Sequence, residues 1–297
     1  MSSASIFGRY TPYRTPIHKL DARNKIFMTI LFIVMIFFSF KTWSTTLIMT
    51  GIYLLITIIL MIIARVNFLD LFKSLFGMWL LIIFIFVIYI FMPVSQTIKD
   101  NGTIAFSIGN YHIYWYSFYQ SGYIILRIIT MLAVMMVLTS TTKPTDLTYS
   151  FEWYMAPLKV VHFPVAEIAM TLSIAIRFIP TLLEETERIM KAQASRGLDL
   201  NHGGLIKRLK AITALIVPLF ASAFERSAEL ADAMEARGYD PRAKRTKYKK
   251  LRFGWLDLLF LILILAMFGG VITMFVFDNN GYPIDILKFF FGIETII

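Results

Sequence analysis

The chain of 297 residues carries apolar side chains at 58% of its positions, 27 of them phenylalanine, and charged ones at only 16%. That balance excludes an ordinary soluble domain, which needs more polar surface to cover its core, and the lack of cysteine excludes a disulfide framework or a thiolate metal site. The net charge of +10 sits beside and between the apolar runs, where basic residues set membrane topology rather than bind nucleic acid.

Residues 1–25 are polar and basic, with Arg9, Arg14, Lys19, Arg23 and Lys25, and do not read as a cleavable signal. A helix crossing the hydrocarbon needs roughly 20 apolar residues. A somewhat short first span is predicted over 26–40, a second over 47–63 and a third over 71–92 with Lys73 at its edge. In the loop that follows, residues 103–108 and 111–116 are two β-rich runs about Gly109-Asn110, the pattern of a hairpin, here within 101–116. A fourth span covers 123–138, lengthened at both ends by tolerable polar residues, and completes the membrane segment 26–142. The fifth covers 253–277, and the tail 278–297 is apolar but too short to cross, so it is expected at the outer surface.

Lys and Arg alternate between the loops. The 41–46 loop has only Lys41, the next has Arg65 and Lys73, residues 93–122 have only Lys99, and the segment 143–252 holds 18 of the 29 basic residues. By the positive-inside rule the N-terminus and the 143–252 segment are cytoplasmic and the C-terminus is outside. The expected fold is an all-α polytopic membrane protein of about five transmembrane helices plus three cytoplasmic helices.

Those three cytoplasmic helices carry most of the information. Residues 144–157 form a short amphipathic helix with Leu147, Phe151, Tyr154 and Met155 at helical spacing. Two longer helices run from Pro164 to Arg196 and from Gly203-Gly204 to Arg237 on one plan. Each has an apolar half and a proline, Pro180 or Pro218, that removes a helical hydrogen bond and is expected to bend the axis. A charged half follows: Glu184, Glu185, Glu187, Arg188 and Lys191 in one, Glu225, Arg226, Glu229, Asp232 and Glu235 in the other. Both end on Ala-x-x-x-Arg-Gly-x-Asp, at Ala192 to Asp199 and again at Ala233 to Asp240.

A glycine after the last helical residue accepts the left-handed conformation that closes a helix. The arginine before it sits where the helix dipole favours a cation, and can reach past the helix end to pair with a carboxylate on another protein. Small neighbours (Ala194, Ser195, Ala236) allow close approach. One Arg-Gly ending is an ordinary helix cap; two with the same four residues at the same offsets point to a pair of docking ends. The apolar halves exceed what a lone helix pair can bury, so they are expected against the membrane spans or a membrane-embedded partner.

Several stretches together resemble the transmembrane T component of energy-coupling factor transporters, the group that includes the cobalt-transporter membrane subunit. They are Thr15-Pro16-Ile17-His18-Lys19-Leu20-Asp21-Ala22-Arg23-Asn24-Lys25 (with Ala22 where proline is usual), Thr141-Thr142-Lys143-Pro144, Ala156-Pro157-Leu158-Lys159, Arg177-Phe178-Ile179-Pro180, and the two Arg-Gly endings. The second ending matches the family's Ala-Arg-Gly motif at Ala236, Arg237 and Gly238; the first has Ser195 for alanine before Arg196 and Gly197.

The resemblance implies a non-catalytic subunit of a four-part importer in the bacterial plasma membrane. Two ABC-type ATPases, A and A′, would bind the coupling helices, with Arg196 and Arg237 each in an acidic groove. They would also hold the ATP and Mg, leaving this chain with no cofactor. A separate membrane protein, the S component, would bind a vitamin or metal ion and contact Leu172, Ile176, Ile179, Leu215 and Leu219. In agreement, the chain has no Gly-Lys dipeptide and hence no phosphate-binding P-loop.

Other candidates are weaker. Arg127 within the fourth span reads as structural, facing the bundle or snorkelling toward Tyr119 and Tyr123. His18, His112, His162 and His202 have no metal-ligand spacing. The basic run 244–252 suits anionic headgroups. A membrane-embedded enzyme would need a nucleophile–base pair, and Glu167 and Glu184 to Glu187 with His162 make no recognisable arrangement. A conventional ABC permease usually presents one main coupling helix per half, against the two Arg-Gly ends here.

Overall fold

The computed structural model describes residues 11, 13, 15–40, 43–91, 104–108, 111–197, 204–240, 243 and 253–279. The Gly109-Asn110 link, residues 198–203, the basic run 244–252 and the tail from 280 lie outside them. In chain order the elements are α1 (Pro16–Lys19), α2 (Ala22–Phe37), α3 (Trp43–Ala64), α4 (Phe68–Gly77), α5 (Trp79–Phe91), β1 (Ile104–Ile108), β2 (Tyr111–Tyr114), α6 (Trp115–Thr141), α7 (Pro144–Met155), a 3-10 turn (Ala156–Val161), α8 (Val165–Ser195), α9 (Leu205–Ala236) and α10 (Trp255–Asn279). The protein is an all-α polytopic membrane protein with one short hairpin. Two compact units divide it, one from Arg9–Lys143 with Arg252–Ile297 and one from Pro144–Leu251.

In the first unit, α2, α3, α6 and α10 pack through two apolar clusters. One joins Phe32, Met35, Ile36, Tyr53, Val134, Ile264 and Val271; the other joins Ile17, Leu20, Met61, Ala64, Ala133, Met136 and Val137. Asp21 caps α2, its carboxylate accepting from the Arg23 N–H at 3.0 Å and pairing with the Arg23 guanidinium at 2.6 Å. Ala22 is the first helical residue, the position where proline loses nothing because that N–H is unbonded in any case. The alanine therefore starts the helix as a proline would.

A longer tie closes the unit. The buried Asp257 carboxylate accepts from the Asp21 N–H and from the Gly254 N–H, both at 2.7 Å, joining the start of α2 to the start of α10. The Lys25 ammonium, also buried, donates to the Thr141 carbonyl at 2.9 Å. Of the two expected orientations Arg127 takes the one facing the bundle: its Nε is buried, and its guanidinium carbon lies 4.9 Å from the Tyr123 ring centre and 5.4 Å from that of Phe37.

Several expected boundaries move. The single span over 71–92 is instead α4 and α5, bent by 61° at Met78. Gly77, with no Cβ, stands at the break, and the polar Asp70, Lys73 and Ser74 lie along α4. The fourth span begins at Trp115 rather than residue 123, because the mixed aromatic and polar residues 115–122 remain helical. The first helix ends at Phe37 with the chain extended through Phe40. Strands β1 and β2 pair antiparallel, with Ile108 opposite Tyr111 and Ile104 opposite Tyr114.

Five described helices are long and apolar enough to cross a membrane, in α3, α6, α8, α9 and α10, and up to six if α4 and α5 make one bent span. The number five matches the expectation, but the membership differs. α2 has 16 residues, about 24 Å, and falls short. α8 and α9 qualify through their apolar halves, although each continues into a charged half.

In the second unit α7 packs along α8, and α8 along α9. The 3-10 turn ends at His162, which is left-handed (φ 58°), and Pro164 then caps α8. Pro180 and Pro218 lie inside continuous helices.

Candidate functional site: two matched helix ends

Helix α8 has 31 residues and α9 has 32, each about 47 Å long at 1.5 Å per residue. Their C-terminal ends close in the same way. Arg196 and Arg237 are the capping residues, with φ/ψ of −85°/9° and −89°/8°. Gly197 and Gly238 follow at φ +84° and +73°. At the second end the Gly238 N–H donates to the Glu235 carbonyl (2.9 Å) and the Tyr239 N–H to that of Met234 (3.0 Å), the doubled closure that satisfies otherwise open carbonyls. At the first end the Gly197 N–H donates to the Ala194 carbonyl at 3.0 Å.

A Cβ added at either glycine would meet nothing within 4 Å. Glycine is needed there for its backbone angle alone, not for lack of room. Ala194, Ser195, Arg196, Gly197, Ala236, Arg237 and Gly238 are all exposed, so each arginine projects from a helix end carrying partial negative charge.

The sequence reading missed the pairing between the two helices. The Arg226 guanidinium meets the Glu185 carboxylate at 3.3 Å, both side chains half-buried. Glu185 precedes Arg196 by eleven residues and Arg226 precedes Arg237 by the same eleven. The contact therefore joins equivalent positions of the two repeats and stands about 16 Å along each helix from its arginine. Extending the Arg-Gly alignment backward by three turns would have placed these opposite charges in register. Glu187 and Lys191 pair on the outer face of α8 at 2.9 Å.

The apolar halves are largely uncovered. Leu172 and Ile179 are exposed. Ile176 is half-buried and lines a cavity of about 510 Å³ with Pro144, Ser173, Arg177 and Pro180, between α7 and α8. On α9, Leu215 and Leu219 are half-buried, and Leu219 shares a groove with Leu182, Thr186, Ile216, Phe220 and Ala223. More exposed than either are Val217, Phe220 and Phe224, with the last two rings stacked at 6.3 Å. Apolar spacing along α9 did not single these three out, because periodicity marks an apolar face without saying which side a neighbouring helix covers. Among the described residues no group of three or more His, Asp or Glu is arranged to hold a metal.

A family model described as Cobalt transport protein matches residues 13–248. The chain is 40% identical over 251 residues to the energy-coupling factor transporter transmembrane protein EcfT of Bacillus subtilis (strain 168), covering 84% of this chain and 91% of that protein. It is 36% identical over 290 residues to the protein so named in Staphylococcus aureus (strain 04-02981), covering 95% and 100%. Against that of Lactobacillus helveticus (strain DPC 4571) the identity is 39% over 269 residues, covering 91% and 93%. All three are named as transmembrane components of transporters rather than as enzymes.

Proposed function

Since the chain belongs to the cobalt transport protein family, among the transmembrane components of energy-coupling factor transporters, we propose that it transmits ATP-driven motion to a substrate-binding membrane partner. Two cytoplasmic ABC-type ATPases seat the α8 and α9 ends, each taking one arginine, Arg196 or Arg237, in an acidic groove. ATP and Mg are held by those ATPases, and this chain binds no cofactor. The S component, which carries a vitamin or similar micronutrient, lies against the apolar halves of α8 and α9, including Leu172, Ile176, Ile179, Leu215 and Leu219. The chain sits in the bacterial plasma membrane with its N-terminus in the cytoplasm and its C-terminus outside, in line with its Lys/Arg distribution.

The observation that carries this proposal is the matched pair of ends. Two exposed arginines, each on a left-handed glycine cap, stand at equal distances from one interhelical ion pair. Such a pair suits two similar partners that move toward and away from each other. The exposed Val217, Phe220 and Phe224 support an apolar partner on α9.

The test is affinity co-purification from membranes, comparing the native chain with Arg196→Glu/Arg237→Glu. Two ABC-type ATPases should follow the native chain and be lost from the double variant, while the S component is retained by both. ATPases bound equally by both forms would reduce the Arg-Gly ends to helix caps. Absence of any ATPase from the native preparation would overturn the coupling role itself.

A further inference from the structure

Helix α4 does not behave as the first half of a span. On a 3.6-residue wheel Leu69, Phe72 and Phe76 fall within an arc of about 60°, and Asp70, Lys73, Ser74 and Gly77 within the next 100° or so. Leu71 and Leu75 complete the apolar side and are half-buried, while α4 packs on α6 and α5. The outer apolar residues are bare: Leu69 is 72% exposed, Phe72 64% and Phe76 80%. A helix crossing the hydrocarbon would carry Asp70 and Lys73 into lipid, at several kcal/mol for a charged side chain. The 61° bend at Met78 separates this amphipathic stretch from α5, whose 13 residues are all apolar.

We infer that α4 lies in the plane of the cytoplasmic membrane surface, with Leu69, Phe72 and Phe76 sunk among the acyl chains and Arg65 and Lys73 held at anionic headgroups. The bilayer is the occupant for three reasons. The bare face of α4 continues into Trp79 and Leu80, themselves exposed on the apolar α5, so one lipid-facing surface runs around the bend. Lys73 stands at the edge between the apolar and polar arcs, where its stem can follow the apolar face while its ammonium reaches phosphate. Arg65, exposed and left-handed at φ 53°, occupies the closing position of α3, with its N–H on the Ile62 carbonyl and the Val66 N–H on that of Met61. Glycine would be less strained in that slot, yet the slot holds a cation that is free to meet the same headgroups as Lys73. This inference concerns membrane docking and stands apart from the coupling role.

The chain has no cysteine, so single cysteines at Leu69, Phe72, Phe76 and Ser74 can each carry one spin label. With the full chain in vesicles of phosphatidylcholine and phosphatidylglycerol, collisional relaxation by oxygen and by a water-soluble nickel chelate reports depth. The labels at Leu69, Phe72 and Phe76 should share one depth, about 5–10 Å below the headgroup boundary, and the label at Ser74 should lie toward water. A steady change in depth from Leu69 to Phe76, of about 10 Å over two turns, would make α4 part of a span. Shielding of the three apolar sites from both oxygen and nickel would give the face to a protein instead. The double variant Arg65→Gln/Lys73→Gln should bring the Phe72 label toward the surface in these vesicles. An unchanged depth would remove the headgroup contact from the inference.

Discussion

Replacing Gly238 by alanine isolates one physical quantity, the backbone preference at the end of α9. The residue sits at φ +73° and a Cβ there meets nothing within 4 Å, so no packing change accompanies the substitution. An L-residue in the left-handed region costs roughly 1–2 kcal/mol. If the Arg237 cap is retained, that energy comes off the stability of the closure, and the bonds of the Gly238 and Tyr239 N–H groups open about 5–30 times more often. Hydrogen exchange followed by mass spectrometry, on the purified full chain, reads this over residues 234–240. Gly238→Asn should recover most of the protection, because asparagine tolerates the left-handed region. Exchange at the native rate in the alanine variant would refute the argument, and so would equal acceleration by alanine and asparagine. In either case the position of Arg237 would not depend on its glycine.

Two further expectations concern the membrane unit. Asp257→Ala leaves the Asp21 and Gly254 N–H groups without their acceptor; the Asp21 bond is the buried one, and at about 1–3 kcal/mol for a buried donor the thermal midpoint in detergent should fall clearly, while Asp257→Asn, which keeps one acceptor oxygen, should fall less. An unchanged midpoint in Asp257→Ala would mean that the carboxylate does not hold α2 to α10. The second concerns His18, whose Nε2 donates to the Thr11 carbonyl (3.0 Å) while Nδ1 accepts from the Thr15 hydroxyl (2.7 Å). Burial, with the nearby Lys25 charge adding to it, holds the imidazole below its usual 6.5. The neutral ring therefore contributes stability that is complete above pH 6.5 and is lost as pH falls through the lowered value. Thermal midpoints measured from pH 7.5 downward should decline, and His18→Gln should flatten that decline; identical slopes would exclude the histidine as its source.

The elements legible in the sequence were those whose cause is local. Apolar runs named the spans in α3, α6 and α10, because a helix in lipid needs only enough consecutive apolar residues. The Arg-Gly endings were readable because a left-handed closure depends on the single residue that adopts it, and both glycines adopt it. The β-rich runs about Gly109-Asn110 likewise announced their antiparallel pairing. Helical spacing also put Arg127 beside Tyr123, four residues before it on the same helix.

What the tertiary structure decided was the set of partners at long sequence separation. Nothing local told that Asp257 would bond a backbone N–H 236 residues away, or that Glu185 and Arg226 would meet at matched positions of the repeat. Window averages hid the break at Met78, because one glycine and three polar residues barely alter the mean over twenty. Yet the helix there turns by 61°. Periodicity marked the apolar face of α9 but could not say that Leu215 and Leu219 are partly covered while Val217, Phe220 and Phe224 stand free. A helix's own sequence specifies which residues share a face, whereas the helices packed beside it settle how much of that face remains for a partner.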